Sequence, residues 1–231
     1  MKRNNLWVIP LTFFLICCIL DIVGCMSCRE LERCVKPALM PLLCLTSFTW
    51  LYTRDGARRL HAAALLLCGQ LFGFAGDTML MGNGFVCFAS GIGLFLIGHL
   101  FYISLFGKFS LKGLKPWHWA AGISLSLALI AAMAFAIGVN GIMIVPMGIY
   151  AFVLTMLIFS TLTGVIRFGG LTWWLLLCGS ILFTFSDSLI AVKSFSTISR
   201  FMDGFVIMFT YLLAQGLIAI GSLRLIAKSN G

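Results

Sequence analysis

Long apolar runs alternate with short polar breaks along this chain, and the breaks set its elements. Mostly apolar runs occupy 6–24, 36–52, 60–81, 85–106, 117–138, 142–166, 171–192 and 204–226. The breaks between them carry turn or charge signals: RDGARR at 54–59, GNG at 82–84, KFSLKGLKP at 108–116, VNG at 139–141, RFGG at 167–170 and KSFSTISRFMD at 193–203. A helix that crosses the hydrocarbon core takes about 20 mostly apolar residues. The pattern therefore predicts an all-α membrane protein with eight transmembrane helices, forming one integral membrane domain over 1–231. Two of the runs share more than hydropathy. LLLCGQLFGFAGDTML at 65–80 and LLLCGSILFTFSDSLI at 175–190 open alike and place an aspartate at the same position, 110 residues apart. Val35-Lys36-Pro37 and Val145-Pro146 give a weaker match at the same offset. The copies fall in spans 3 and 7, an even number of crossings apart, so they run in the same direction. This predicts a parallel 4+4 internal repeat, with halves at about 6–106 and 117–226. Chance likeness between leucine-rich strings is the competing account, and the aligned aspartate weighs against it.

Composition strengthens the membrane assignment. The chain is 61% hydrophobic and only 10% charged, where a soluble domain carries about 25% charge. A net charge of +9 would suit a nucleic-acid partner if the basic residues shared one surface. They fall instead in the polar breaks, as topology signals, so no nucleic-acid partner is expected. On one side of the predicted membrane lie Lys2, Arg3, Arg54, Arg58, Arg59, Lys108, Lys112, Lys115, Arg167, Arg224 and Lys228; on the other lie Arg29, Arg33, Lys36, Lys193 and Arg200. Eleven against five places both termini in the cytoplasm, and a bacterial inner membrane is the expected location. The start, MKRNN before an apolar run, also resembles a signal peptide, and Ile22-Val23-Gly24-Cys25 loosely resembles a lipoprotein cleavage site. Asp21 inside that motif weighs against cleavage. Of nine cysteines, Cys17, Cys18, Cys44, Cys68, Cys87 and Cys178 lie within apolar runs, where a thiol acts as a small hydrophobe. Cys25, Cys28 and Cys34 fall in a predicted loop without a fourth ligand, so no metal site is expected.

The chemistry concentrates on two carboxyls. Asp77 lies five residues before Gly82 and Asp187 six before Lys193, which puts both roughly 8 Å below the extracytoplasmic boundary at 1.5 Å per residue. An ionised carboxylate there costs several kcal/mol unless it is paired or hydrated, and such a residue marks a functional site by default. An ion pair or hydrogen bond that merely holds helices together is the bland alternative. Helical spacing aligns Asp77 with Gly73 and Gln70, and Asp187 with Thr184 and Ser180. Each face is polar or small within an apolar helix, which suits either a cavity wall or close helix packing. Lys36 is expected to open span 2, where it either meets a phosphate or snorkels to the interface. Tyr150 and Tyr211 fall roughly 13 Å and 10 Å deep, with Gln215 one turn below Tyr211. Asp21 is expected near the headgroups. His99 shares a face with Tyr102 but falls roughly 22 Å from the outer boundary, below the aspartates, as cavity floor or helix packing.

Lys36-Pro37; Gly76-Asp77 with Gly84 and Phe88; Gly98-His99-Leu100-Phe101-Tyr102; Pro146 with Tyr150; Ser186-Asp187 with Ala191 and Phe195; and Tyr211 with Gln215 together resemble the YhhN-like lysoplasmalogenase family. Gly98 stands where many members have Ala. The resemblance implies an eight-span membrane enzyme. It implies hydrolysis of the vinyl ether bond of lysoplasmalogens to a fatty aldehyde and a glycerophospho-headgroup, with a lysophospholipid-type substrate drawn from the lipid bilayer and no cofactor. Such cleavage protonates the β-carbon of the vinyl ether and adds water to the resulting oxocarbenium ion. Its transition state resembles that of glycoside hydrolysis, where one carboxylic acid and one carboxylate divide the work. Two carboxyls sharing one proton near neutrality would supply both roles. Asp77 and Asp187 are the expected catalytic pair. Tyr150, Tyr211 and Gln215 are expected to position water or the ether oxygen, Lys36 to meet the phosphate, and His99 and Tyr102 to line the substrate cavity. A proton-coupled carrier using the same aspartates is the alternative from another class. The absence of acids near the other membrane side weighs against it.

Overall fold

The computed structural model describes residues 5–54, 60–137, 144–195 and 204–228. Among them are eight helices and no strand: α1 (Val8–Ser27), α2 (Arg29–Arg54), α3 (Leu60–Leu80), α4 (Phe85–Ser110), α5 (Pro116–Ile137), α6 (Ile144–Phe168), α7 (Gly170–Phe195) and α8 (Gly204–Lys228). They follow the eight expected runs in order. By the residues described, α1–α4 and α6–α8 are long and apolar enough to cross a membrane. Lys2, Arg3, Arg58, Arg59 and Arg200, used for orientation, lie outside the described residues, as do the VNG break at 139–141 and positions 196–203.

The chain divides into two compact units, Met1–Leu105 with Ala219–Gly231, and Phe106–Ile218. In the first unit α1 packs against α2 and α2 against α3. One face of α1 turns Ile9, Phe13, Ile16, Leu20 and Val23 outward, at helical spacing. Pro10, Phe14, Asp21 and Gly24 turn inward. The outward stripe suits lipid, which accepts apolar side chains at no cost. Between α3 and α4 glycines set the separation. A Cβ on Gly69 would lie 2.5 Å from the ring of Tyr102, and one on Gly76 would lie 3.1 Å from Phe95. In lipid, helices associate through this kind of close packing rather than through hydrophobic exclusion.

In the second unit α6 packs against α5 and α7. Arg167, at the end of α6, donates from Nη1 to the carbonyls of Ser110 (2.6 Å) and Lys112 (2.7 Å). The last carbonyls of a helix lack partners within it, and the guanidinium fills that need at the end of α4. The α6–α7 turn is the RFGG break. Gly169 and Gly170 adopt φ of 58° and 78°, a region that side chains disfavour. The Gly169 N–H reaches the Val165 carbonyl at 2.9 Å.

One boundary departs from expectation. Span 2 was to begin at Lys36, with Cys25, Cys28 and Cys34 in a loop. Instead α2 begins at Arg29 and contains both Pro37 and Pro41, so Lys36 lies two turns inside the helix. Cys25 belongs to α1, Cys34 to α2, and Cys28 alone links them in extended conformation. Lys36-Pro37 reads as a helix start because proline suits the first turn. The tight hairpin overrides that signal. Cys28 donates its N–H to the Gly24 carbonyl at 2.9 Å, a Cβ on Gly24 would lie only 2.7 Å from the Glu32 nitrogen, and Glu30 and Glu32 lie in the first turn of α2, where acids favour the helix dipole.

Candidate active site

In the second unit, α6 and α7 bring two of the sequence candidates together. Asp187 is 2% exposed, Tyr150 is also buried, and the Tyr150 hydroxyl donates to Asp187 Oδ2. The bond crosses 37 positions of sequence, so it is a product of helix pairing alone. The polar stripe expected along α7 is present and inward. Ser180 and Thr184 are buried; Thr184 Oγ1 donates to the Ser180 carbonyl at 2.9 Å, and Thr161 of α6 reaches Ser180 Oγ at 3.4 Å. Beside Asp187, Ser186 Oγ donates to the Ile207 carbonyl of α8 at 3.0 Å, which fixes the rotation of α7 about its axis. On α8, Gln215 Nε2 donates to the Tyr211 hydroxyl at 3.3 Å. The Tyr211 ring meets Phe183 of α7 edge-on, with centroids 5.4 Å apart. Tyr211 and Gln215 are thus joined as their one-turn spacing implied, and both are buried.

In the first unit, Asp77 is 6% exposed and shares its buried face with Gly73 and Gln70, as its spacing implied. Gln70 Nε2 donates to Ser47 Oγ of α2 at 2.9 Å. Ser47 escaped the sequence reading. Its signal was a run of hydroxyl residues, Thr46, Ser47 and Thr49, in the middle of an apolar helix, all of them buried. His99 and Tyr102 are buried on α4, with Tyr102 packed over the Gly69 backbone. Lys36 pairs with Glu32 of its own helix at 3.6 Å, and both are part-exposed. Asp21, expected near the headgroups at the outer end of span 1, is fully buried within the protein, on the helix that packs against α2. Among the described residues no three His, Cys, Asp or Glu side chains converge as metal ligands would.

Apolar helices long enough to span a membrane, three of which hold a buried carboxyl (Asp21 on α1, Asp77 on α3 and Asp187 on α7), define a multi-pass integral membrane protein. The chain belongs to the YhhN family, whose model matches residues 31–222. It is 28% identical over 224 residues to human lysoplasmalogenase TMEM86B, covering 94% of this chain and 87% of that protein. It is 29% identical over 185 residues to mouse lysoplasmalogenase TMEM86B, covering 80% and 73%. To human lysoplasmalogenase TMEM86A it is 25% identical over 192 residues, covering 80% and 76%. No solved structure matches the chain.

Proposed function

We propose that this protein is a membrane hydrolase of the YhhN family that cleaves the vinyl ether bond of lysoplasmalogens by carboxyl acid–base catalysis. The names of its curated relatives support the activity. The observation that carries the division of roles is the Tyr150 hydroxyl donated to the buried Asp187. A carboxyl that accepts a hydroxyl proton is held as an acceptor, which suits the carboxylate role; Asp77, the other member of the pair, is assigned the acid. Asp77 donates its proton to the β-carbon of the vinyl ether. The electron pair of the double bond forms the new C–H bond, and the positive charge spreads over the adjacent carbon and the ether oxygen. Asp187 stabilises that charge and takes a proton from the attacking water, whose oxygen bonds to the cationic carbon. Asp187 then returns its proton to the alkoxy oxygen as that carbon–oxygen bond breaks and the glycerophospho-alcohol leaves, while the hemiacetal hydroxyl gives its proton to Asp77 and its oxygen becomes the aldehyde carbonyl, which restores both carboxyls. Proton transfer by a positioned group of this kind contributes about 10²–10⁴-fold. Tyr211 and Gln215 serve to orient water. His99 and Tyr102 line the apolar passage for the alkenyl chain. Both termini lie in the cytoplasm, by the basic residues of the polar breaks.

The test is aldehyde release from a lysoplasmenyl lipid by the purified, folded chain in detergent or nanodiscs. Release of one aldehyde per glycerophospho-alcohol is expected. Folded protein that releases none with either the choline or the ethanolamine lipid would overturn the assignment and favour the carrier.

A further inference from the structure

The proposed chemistry leaves one buried acid unused. Asp21 on α1 is fully buried, and among the described residues neither carboxylate oxygen has a hydrogen-bond partner. The hairpin places it. Gly24 packs against the backbone of Glu32, so one turn further down the antiparallel pair Asp21 comes level with Lys36. Lys36 and Glu32 both lie within electrostatic range of Asp21. Lys36 is already paired with Glu32 at 3.6 Å, and their side chains are 19% and 24% exposed. Two acids therefore share one ammonium, and the inner acid has its acceptor sites unfilled. A buried carboxyl without donors is costly. A ligand that brings N–H donors would relieve that cost, whereas a bare phosphate would meet two acids and one base.

Resting on the proposed function, we propose that the α1–α2 hairpin is a headgroup subsite in which Asp21 and Glu32 take the primary ammonium of an ethanolamine lysolipid while Lys36 faces the adjoining phosphate. A primary ammonium offers three donors to the unfilled oxygens. A quaternary ammonium offers none and is recognised instead over aromatic faces. Asp21 lies six residues before the end of α1, hence roughly 9 Å inside it, at the level where a lysolipid headgroup meets the hydrocarbon boundary. The part-exposed Glu32–Lys36 pair is the way in.

The test uses the full chain in nanodiscs and uncleavable saturated-ether lysolipids with ethanolamine, choline or phosphate headgroups, plus free glycerophosphoethanolamine. The ethanolamine lipid is expected to bind about tenfold tighter than either other lipid, the scale of one good charge-assisted bond. Asp21→Asn is expected to remove most of that preference without abolishing lysolipid binding. Glu32→Gln, at a part-exposed site, is expected to narrow it as well. Headgroup-blind binding by the wild type, or an unchanged preference in both variants, would overturn the subsite and leave the proposed function standing. Free glycerophosphoethanolamine binding as tightly as the lipid would overturn the lipid assignment. Failure to bind any of the three lysolipids would bring down the proposed function together with this inference.

Discussion

Tyr150 and Asp187 form the contact with the most direct consequence for chemistry. A hydrogen bond to a charged group contributes about 1.5–3 kcal/mol. If the Tyr150 hydroxyl holds the Asp187 carboxylate in place for the transition state, Tyr150→Phe lowers kcat by about ten- to a hundredfold and leaves KM nearly unchanged. Steady-state aldehyde release checks this, and an equal loss in KM alone would assign Tyr150 to substrate binding. At this scale the sequence was informative about identity and silent about partnership. Asp77 and Asp187 stood out because a carboxyl in an apolar run is expensive. The one-turn pair Tyr211 and Gln215 was visible from helical spacing. The 37-position link from Tyr150 to Asp187 and the Gln70–Ser47 bond between α3 and α2 were not, because no periodicity encodes which helix faces which. The burial of Asp21, on the helix that packs against α2, was not legible for the same reason.

Among the elements, α3 and α4 depend on glycine for their approach, and α8 supplies the control. Gly69→Ala would set a methyl 2.5 Å from the Tyr102 ring. Overpacking of this kind costs about 1–3 kcal/mol, so a clear fall in melting temperature is expected in detergent. Gly216→Ala meets nothing within 4 Å, and alanine is the better helix former by about 1 kcal/mol, so its melting temperature should hold or rise. Thermal denaturation of the two variants side by side checks the packing; equal behaviour would mean that Tyr102 gives way. Helix order and most boundaries were legible, because hydropathy and Gly or basic breaks such as RFGG dominate in a membrane chain. The start of α2 was not. Pro37 marked a local start, and the Gly24–Glu32 contact that extends the helix to Arg29 is tertiary.

For the whole molecule, membership of the YhhN family over residues 31–222 joins the apolar helices to one enzyme class. We propose that the protein also carries the parallel repeat suggested by its sequence, with halves at about 6–106 and 117–226. In support, α2 packs on α3 as α6 does on α7. Gln70 and Ser180, 110 positions apart, each hydrogen-bond across their respective pair. On this proposal Asp77 and Asp187 are equivalent positions that take complementary roles in the reaction. The most direct test of the account is aldehyde release from a lysoplasmenyl lipid by Asp77→Asn and by Asp187→Asn, each confirmed as folded by its melting temperature. The account predicts that either substitution alone lowers turnover by about a hundredfold or more. Wild-type turnover in either variant would contradict it.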